Sequence, residues 1–126
     1  MSFISNITEI KHGFYINLDN RTDRKKQVEH ELKQIGLSDV VKRFNAIKAK
    51  NGRIGCTLSH LNCLEKAKEL DIPHILIIED DIHFLEPAIF KKQLNTFLKS
   101  GTKWDVILLA GNNVPPYVRI HDCAVK

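Results

Sequence analysis

His74-Ile75-Leu76-Ile77-Ile78-Glu79-Asp80-Asp81 is the stretch that decides the fold class of this chain. Four consecutive aliphatic residues run without a turn residue into three carboxylates. An unbroken apolar run of this length reads as a strand buried on both faces, the kind found in parallel sheets. In open α/β sheets, ligands sit just outside the carboxyl ends of such strands. Three acids there repel one another unless positive charge is brought to them, and a divalent cation carrying a phosphorylated ligand meets that need. The plain alternative is an acidic strand end with its charges in water. Pleating sends Glu79 and Asp81 to one side and Asp80 to the other. Glu79 and Asp81 thus form an acid-x-acid pair able to share a ligand, and oxygen-only ligands favour magnesium or manganese over zinc.

Working outward, Asp71-Ile72-Pro73 separates this strand from a helix that the pattern starts near Gly55 or Cys56 and ends near Leu70. Leu58, Leu61 and Leu64, with Ala67 close by, supply its expected inward stripe. Before it, Lys48 to Arg53 reads as a polar loop and Val40 to Ile47 as a strand, with Phe44 and Ile47 towards the core. A further helix is expected from about Arg21 to Ile35, capped by Asn20 or Asp19, with Val28, Leu32 and Ile35 inward and Gly36 at its C′ position. Phe14 to Asp19, opened by Gly13, reads as the first strand after a loose lead-in of residues 1–12. Downstream, Pro87 suits the first turn of a helix ending near Leu98. Trp104 to Leu109 reads as another buried strand, followed by the loop Ala110-Gly111-Asn112-Asn113, and Tyr117 to Lys126 has some strand character. The alternation of strands and helices predicts a three-layer α/β fold with a mainly parallel sheet.

The bulk numbers fit one domain. With 126 residues, 43% hydrophobic and 27% charged, the chain is an ordinary globular length and composition. Its net charge of +4 suits an anionic ligand, and sparse aromatics not interleaved with the basic residues argue against a nucleic-acid partner. No apolar run is long enough for a transmembrane segment. Three cysteines (Cys56, Cys63 and Cys123), an odd number without paired metal spacing or a secretory leader, lead us to expect reduced thiols and a cytoplasmic location.

A second functional stretch is Asn17-Leu18-Asp19-Asn20-Arg21-Thr22-Asp23-Arg24, where the first strand turns into a helix. Backbone amides and Arg24 at a helix start can meet an anionic or hydroxyl-rich ligand, although a solvated charge cluster explains the stretch as well. Cys56, His60 and Cys63 lie on one side of a helix at i, i+4 and i+7. A zinc site would need a fourth ligand, which Cys123 could supply only by accident of folding, so a packed or ligand-facing His60 is the preferred reading. His74 and His83 flank the acidic strand and read as structural. No P-loop, dinucleotide fingerprint or nucleophile elbow is present.

Three blocks together resemble glycosyltransferase family 25, the lipooligosaccharide-biosynthesis and collagen galactosyl- or glucosyltransferases. They are Tyr15 to Asp19 with Arg21 and Arg24, Gly52 to His60, and Ile77 to Phe84; with their spacing they cover about residues 13–113. The resemblance implies a GT-A type nucleotide-sugar-binding fold and metal-dependent, inverting transfer of a hexose from a UDP-sugar to a glycan, lipooligosaccharide or glycoprotein acceptor. It implies that Asp81 ligates Mn²⁺ (or Mg²⁺) and that Glu79 approaches the ribose or sugar. On the same ground, Asn17, Asp19, Arg21 and Arg24 contact the nucleoside end, Ser59 and His60 face the donor, and Asp80 belongs to the donor-binding set with Glu79. Family domains continue well past the acid motif. The resemblance therefore implies that residues 1–126 are a single, incomplete domain, the N-terminal part only, whose remainder a companion chain could supply. No general base is assigned; His121 and Asp122 are candidates by residue type alone. A donor-binding half without turnover shares every motif. A phosphorelay receiver is disfavoured, because its phosphoacceptor strand should end in Asp, whereas Trp104 to Leu109 runs into Ala110-Gly111.

Overall fold

The computed structural model of the chain describes residues 3–111 and 114–125; Asn112 and Asn113 of the expected loop lie outside them. Three parallel strands, β1 (Gly13–Asn17), β2 (Val41–Asn45) and β3 (Leu76–Glu79), form a sheet in the order β2-β1-β3. Helices α1 (Thr22–Gln34) and α2 (Gly52–Glu69) make the crossovers, and α3 (Pro87–Lys99) follows β3. A two-stranded antiparallel hairpin, β4 (Arg119–His121) and β5 (Ala124–Val125), realises the strand character seen after Tyr117.

Register and pleat place the helices. Tyr15 pairs with Ile78 across β1 and β3, and its hydroxyl donates to Glu29 of α1 at 2.9 Å, so α1 covers that face. Ile16 pairs with Glu79 on the opposite face, where the Glu79 carboxylate meets α2. Leu94 and Leu98 of α3 join the cluster of Tyr15, Val28, Leu32 and Ile78 on the α1 side. The result is three layers: α1 with α3, the sheet, and α2.

The α1 stripe is as expected: Val28, Leu32 and Ile35 are 0%, 1% and 3% exposed, and Gly36 takes φ +76° at the helix end. Burying an aliphatic side chain of this size contributes about 1.5–3 kcal/mol. Neither Asn20 nor Asp19 caps α1, however; Arg21 occupies that position without a side-chain cap bond. The helix α2 departs further from the pattern. It begins at Gly52, several residues before Gly55, because the Asn51 side chain accepts from the Arg53 N–H at 2.9 Å as a regular N-cap. Its buried residues are Gly55, Ser59, Cys63 and Ala67, spaced four apart, while Leu58, Leu61 and Leu64 face outward. Small residues let the helix approach its neighbours closely; a Cβ at Gly55 would stand 2.7 Å from the Ile47 carbonyl oxygen.

The strand expected over Trp104 to Leu109 does not form. Trp104 and Ile107, three residues apart, pack against the core, while Val106 and Leu108 are 75% and 81% exposed. That spacing is not the two-residue alternation of a strand, and the segment gains no ladder partner on the outer edge of β3 among the described residues.

Candidate donor and metal site at the carboxyl edge of the sheet

The connection from β1 leads to β2 on one side, and the next leads back across to β3 on the other. The strand order therefore reverses between β1 and β3, where open α/β sheets place their ligands. Asn17 ends β1 and Glu79 ends β3, so the two stretches singled out in the sequence meet there.

The three acids occupy three different environments. Asp80 is 8% exposed and turned towards α1: its Oδ2 accepts from the Asn17 amide at 2.8 Å, and Arg24 Nη1 lies 3.4 Å from its Oδ1. Glu79 is turned towards α2. Its Oε1 accepts from the Cys56 thiol at 3.3 Å and lies 3.0 Å from His60 Nε2. Asp81 is exposed and makes no hydrogen bond or ion pair among the described residues. Its charge is felt at Cys56, whose thiol is pushed up first by burial, then by the bond to Glu79 and by the Glu79 and Asp81 charges. Glu79 and Asp80 thus face opposite sides, as expected, while Asp80 and Asp81 lie in the turn just past the end of β3.

Asn17 is 2% exposed and fully engaged. Its side-chain amide donates to the Arg21 carbonyl at 3.1 Å and to Asp80, and its Oδ1 accepts from Arg43 Nε at 2.9 Å. Arg43 also reaches the Asn17 carbonyl at 2.9 Å and Asp19 at 2.8 Å. Arg21 forks onto Asp23 at 2.9 and 2.8 Å, and that bonding holds the Asp23 carboxyl well below the usual carboxylate range. Arg24, with 40% of its side chain exposed, is therefore the arginine of this stretch turned to the acid motif. Ser59 is completely buried; its hydroxyl donates to the Gly55 carbonyl and accepts from the Ile47 N–H, at 2.8 and 2.9 Å. It fastens the loop after β2 to α2. His60, by contrast, reaches the site.

Two groups at the site were not singled out in the sequence. Arg43 looked like one basic residue among many in an alternating strand. Glu31 is only 3% exposed and binds the loop that follows the acid motif, accepting from the Phe84 N–H at 2.8 Å and lying 2.9 Å from His83 Nδ1. Burial alone would raise its pKa, but these bonds and the nearby His83 and His30 outweigh it and hold the carboxyl below its usual range. His121 and Asp122 lie on the hairpin, where His121 packs edge-on against Phe97 and sits 3.2 Å from Cys123 Sγ. A concavity of about 320 Å³ opens beside Tyr15, Glu29 and Arg43 on the α1 side, while Glu79 and Asp81 at the carboxylate edge are exposed.

Comparison with known proteins adds an independent observation. The model of glycosyltransferase family 25 (LPS biosynthesis protein) matches residues 51–119, a span that contains α2, β3 and all three acids. A "Glycosyltransferase 25 family member" of Drosophila pseudoobscura pseudoobscura is 29% identical over 103 residues, covering 60% of this chain and 16% of that protein. A "Putative glycosyltransferase" of Haemophilus influenzae is 29% identical over 98 residues, covering 62% of the chain and 35% of its own length. The "Procollagen galactosyltransferase 1-B" of Xenopus laevis is 25% identical over 126 residues, covering 76% of the chain and 20% of its own length. The chain thus spans about a third or less of these relatives. No solved structure matches it.

Proposed function

Because the chain belongs to glycosyltransferase family 25, we propose that it carries the donor-binding part of a hexosyltransferase that uses a UDP-sugar. The acceptor in this reading is a hydroxyl of a glycan, lipooligosaccharide or glycoprotein. The observation that carries it is the exposed Asp81, without a partner among the described residues, beside Glu79 at the reversal of strand order and inside the family-matched span. Arg24 stands on the other side of the acid motif, as a diphosphate or nucleoside contact requires. Asp19 and Arg21 border the same edge, and His60 faces it from α2. Asn17, Asp80 and Ser59, turned inward, act by fixing where those groups stand.

Two exposed carboxylates at that edge fit a Mn²⁺ or Mg²⁺ ion that takes its remaining oxygens from water and phosphate. Held by Asp81 and Glu79, such an ion would supply positive charge to the departing diphosphate. In the inverting reaction, the acceptor oxygen bonds to the anomeric carbon as the bond to UDP breaks, and the hydroxyl proton passes to a base.

The test is calorimetric titration of UDP, UDP-galactose and UDP-glucose, with and without Mn²⁺, into the chain and into Asp81→Ala. Metal-dependent binding, weakened in the variant by more than the roughly 10–100-fold cost of losing a supporting contact, is expected. A folded chain that binds none of the three overturns the reading. Binding without transfer to any acceptor would identify a donor-binding module that needs further residues for turnover.

A further inference from the structure

One turn of α2 separates Cys56 from His60, so both side chains reach the same carboxylate oxygen, Glu79 Oε1, at 3.3 and 3.0 Å. The ligating atoms of the three residues all lie within 4.8 Å of one another. We infer that Cys56, His60 and Glu79 form a site for a thiophilic divalent cation of the zinc class, next to the all-oxygen site proposed at Asp81 and sharing Glu79 with it.

Geometry carries this first. Zinc bonds of roughly 2.0–2.3 Å place neighbouring tetrahedral donors roughly 3.3–3.8 Å apart. Both spacings to Glu79 are already near that range, and the third, between thiol and imidazole, is within 4.8 Å. Donor chemistry comes second. A thiolate, an imidazole and a carboxylate suit zinc or cobalt, whereas magnesium and manganese prefer oxygen throughout. Three protein ligands with one position open is the composition of a reactive zinc centre, not of a closed structural one. The side chains of His60 and Glu79 are 37% and 50% exposed, so an ion and a further ligand have access.

Charge comes third. Among the described residues, Cys56 and His60 are the only side chains hydrogen-bonded to Glu79, and no lysine or arginine pairs with it. A bound cation would offset the negative charge of Glu79 and of Asp81, two residues on. On binding, the metal–sulfur bond replaces the S–H bond and the proton passes to solvent. The helix cannot drift from this position, since Ser59 and Gly55 lock it to the loop behind. The other two thiols are elsewhere: Cys63 is buried, and Cys123 bonds to the Gln93 carbonyl on α3. The third ligand comes from the strand, which is why cysteine and histidine spacing along the helix failed to reveal the site. Glu79 Oε2 has no partner among the described residues and stays available to the proposed donor site. The inference does not depend on sugar transfer.

Cobalt(II) titrated into the full chain under reducing conditions tests it. A thiolate-to-cobalt charge-transfer absorption should appear, saturate at a single ion per chain, release a proton and vanish on adding zinc. Cys56→Ser should abolish the absorption, and His60→Ala should weaken cobalt binding beyond the roughly 10–100-fold cost of losing an outer contact. Cys63→Ser with Cys123→Ser should keep it, and so should Asp81→Asn, which separates this site from the donor site. Circular dichroism on each variant reports folding. Absence of the absorption in the unsubstituted chain, or its survival in Cys56→Ser, overturns the inference.

Discussion

Asn17 shows how one short side chain, at the end of β1, joins the middle of β2, the turn after β3 and the start of α1. Its two amide hydrogens go to the Arg21 carbonyl and to Asp80, and its oxygen takes the Arg43 guanidinium. A carboxylate buried to the extent of Asp80 needs such partners, because an unpaired charge in that position is costly. Asn17→Ala leaves Arg43 Nε and one Asp80 oxygen without their partners, at about 1–3 kcal/mol for each group. The urea midpoint should fall accordingly, with the slope unchanged. An unaltered midpoint would mean that water replaces the amide without loss. The effect on donor binding should follow from displacement of Arg24 and the acid motif. The sequence put Asn17 and Asp80 at the carboxyl edge of the sheet, where the structure has them, but residue type cannot say whether a polar group at a strand end points to solvent or across to its neighbour.

At the scale of elements, the apolar runs and the start and stop residues made β1, β2, β3 and α1 legible, and Pro87 marked the start of α3. The orientation of α2 was not legible. Its leucines form the more hydrophobic stripe, yet the small stripe of Gly55, Ser59, Cys63 and Ala67 is the buried one. Hydrophobic periodicity weighs the size and apolarity of side chains, whereas close approach to the Ile47 carbonyl selects their absence. Substitutions separate these two descriptions. Leu61→Gln, on the outward face, should change stability by no more than about 0.5 kcal/mol. Cys63→Leu, inserted where the exposure is 0%, should cost about 1–3 kcal/mol through overpacking. Thermal denaturation of the two variants decides the matter, and the reverse order would mean that the leucines face the sheet. Trp104 to Leu109 failed for a related reason. A strand exists only with a partner, and β-branched composition does not supply one.

Across the whole molecule, the site loop is held from the far side of the sheet. Glu31 on α1 grips Phe84 and His83, so the segment leaving the acid motif is tied to the helix that also carries Arg24. No local pattern announces this pair, because its members stand 52 residues apart. Its consequence is a pH dependence with a definite sign. The folded-state pKa of Glu31 lies below its unfolded value of 4.5. The resulting stability is complete above that value and is lost as pH falls through the folded pKa. Glu31→Gln removes the titration while keeping the shape. At neutral pH it should cost about 1–3 kcal/mol, since hydrogen bonds to a charged acceptor become neutral ones. Below pH 4.5 the difference between the two proteins should narrow. Asp23 and Glu9 also have depressed values, but they titrate equally in both proteins and drop out of the comparison. Urea unfolding of each across the acid range measures the gap directly. A gap that stays constant with pH would show that Glu31 does not titrate differently on folding. A gap that widens on acidification would mean that burial, not the bonds from Phe84 and His83, governs this carboxylate.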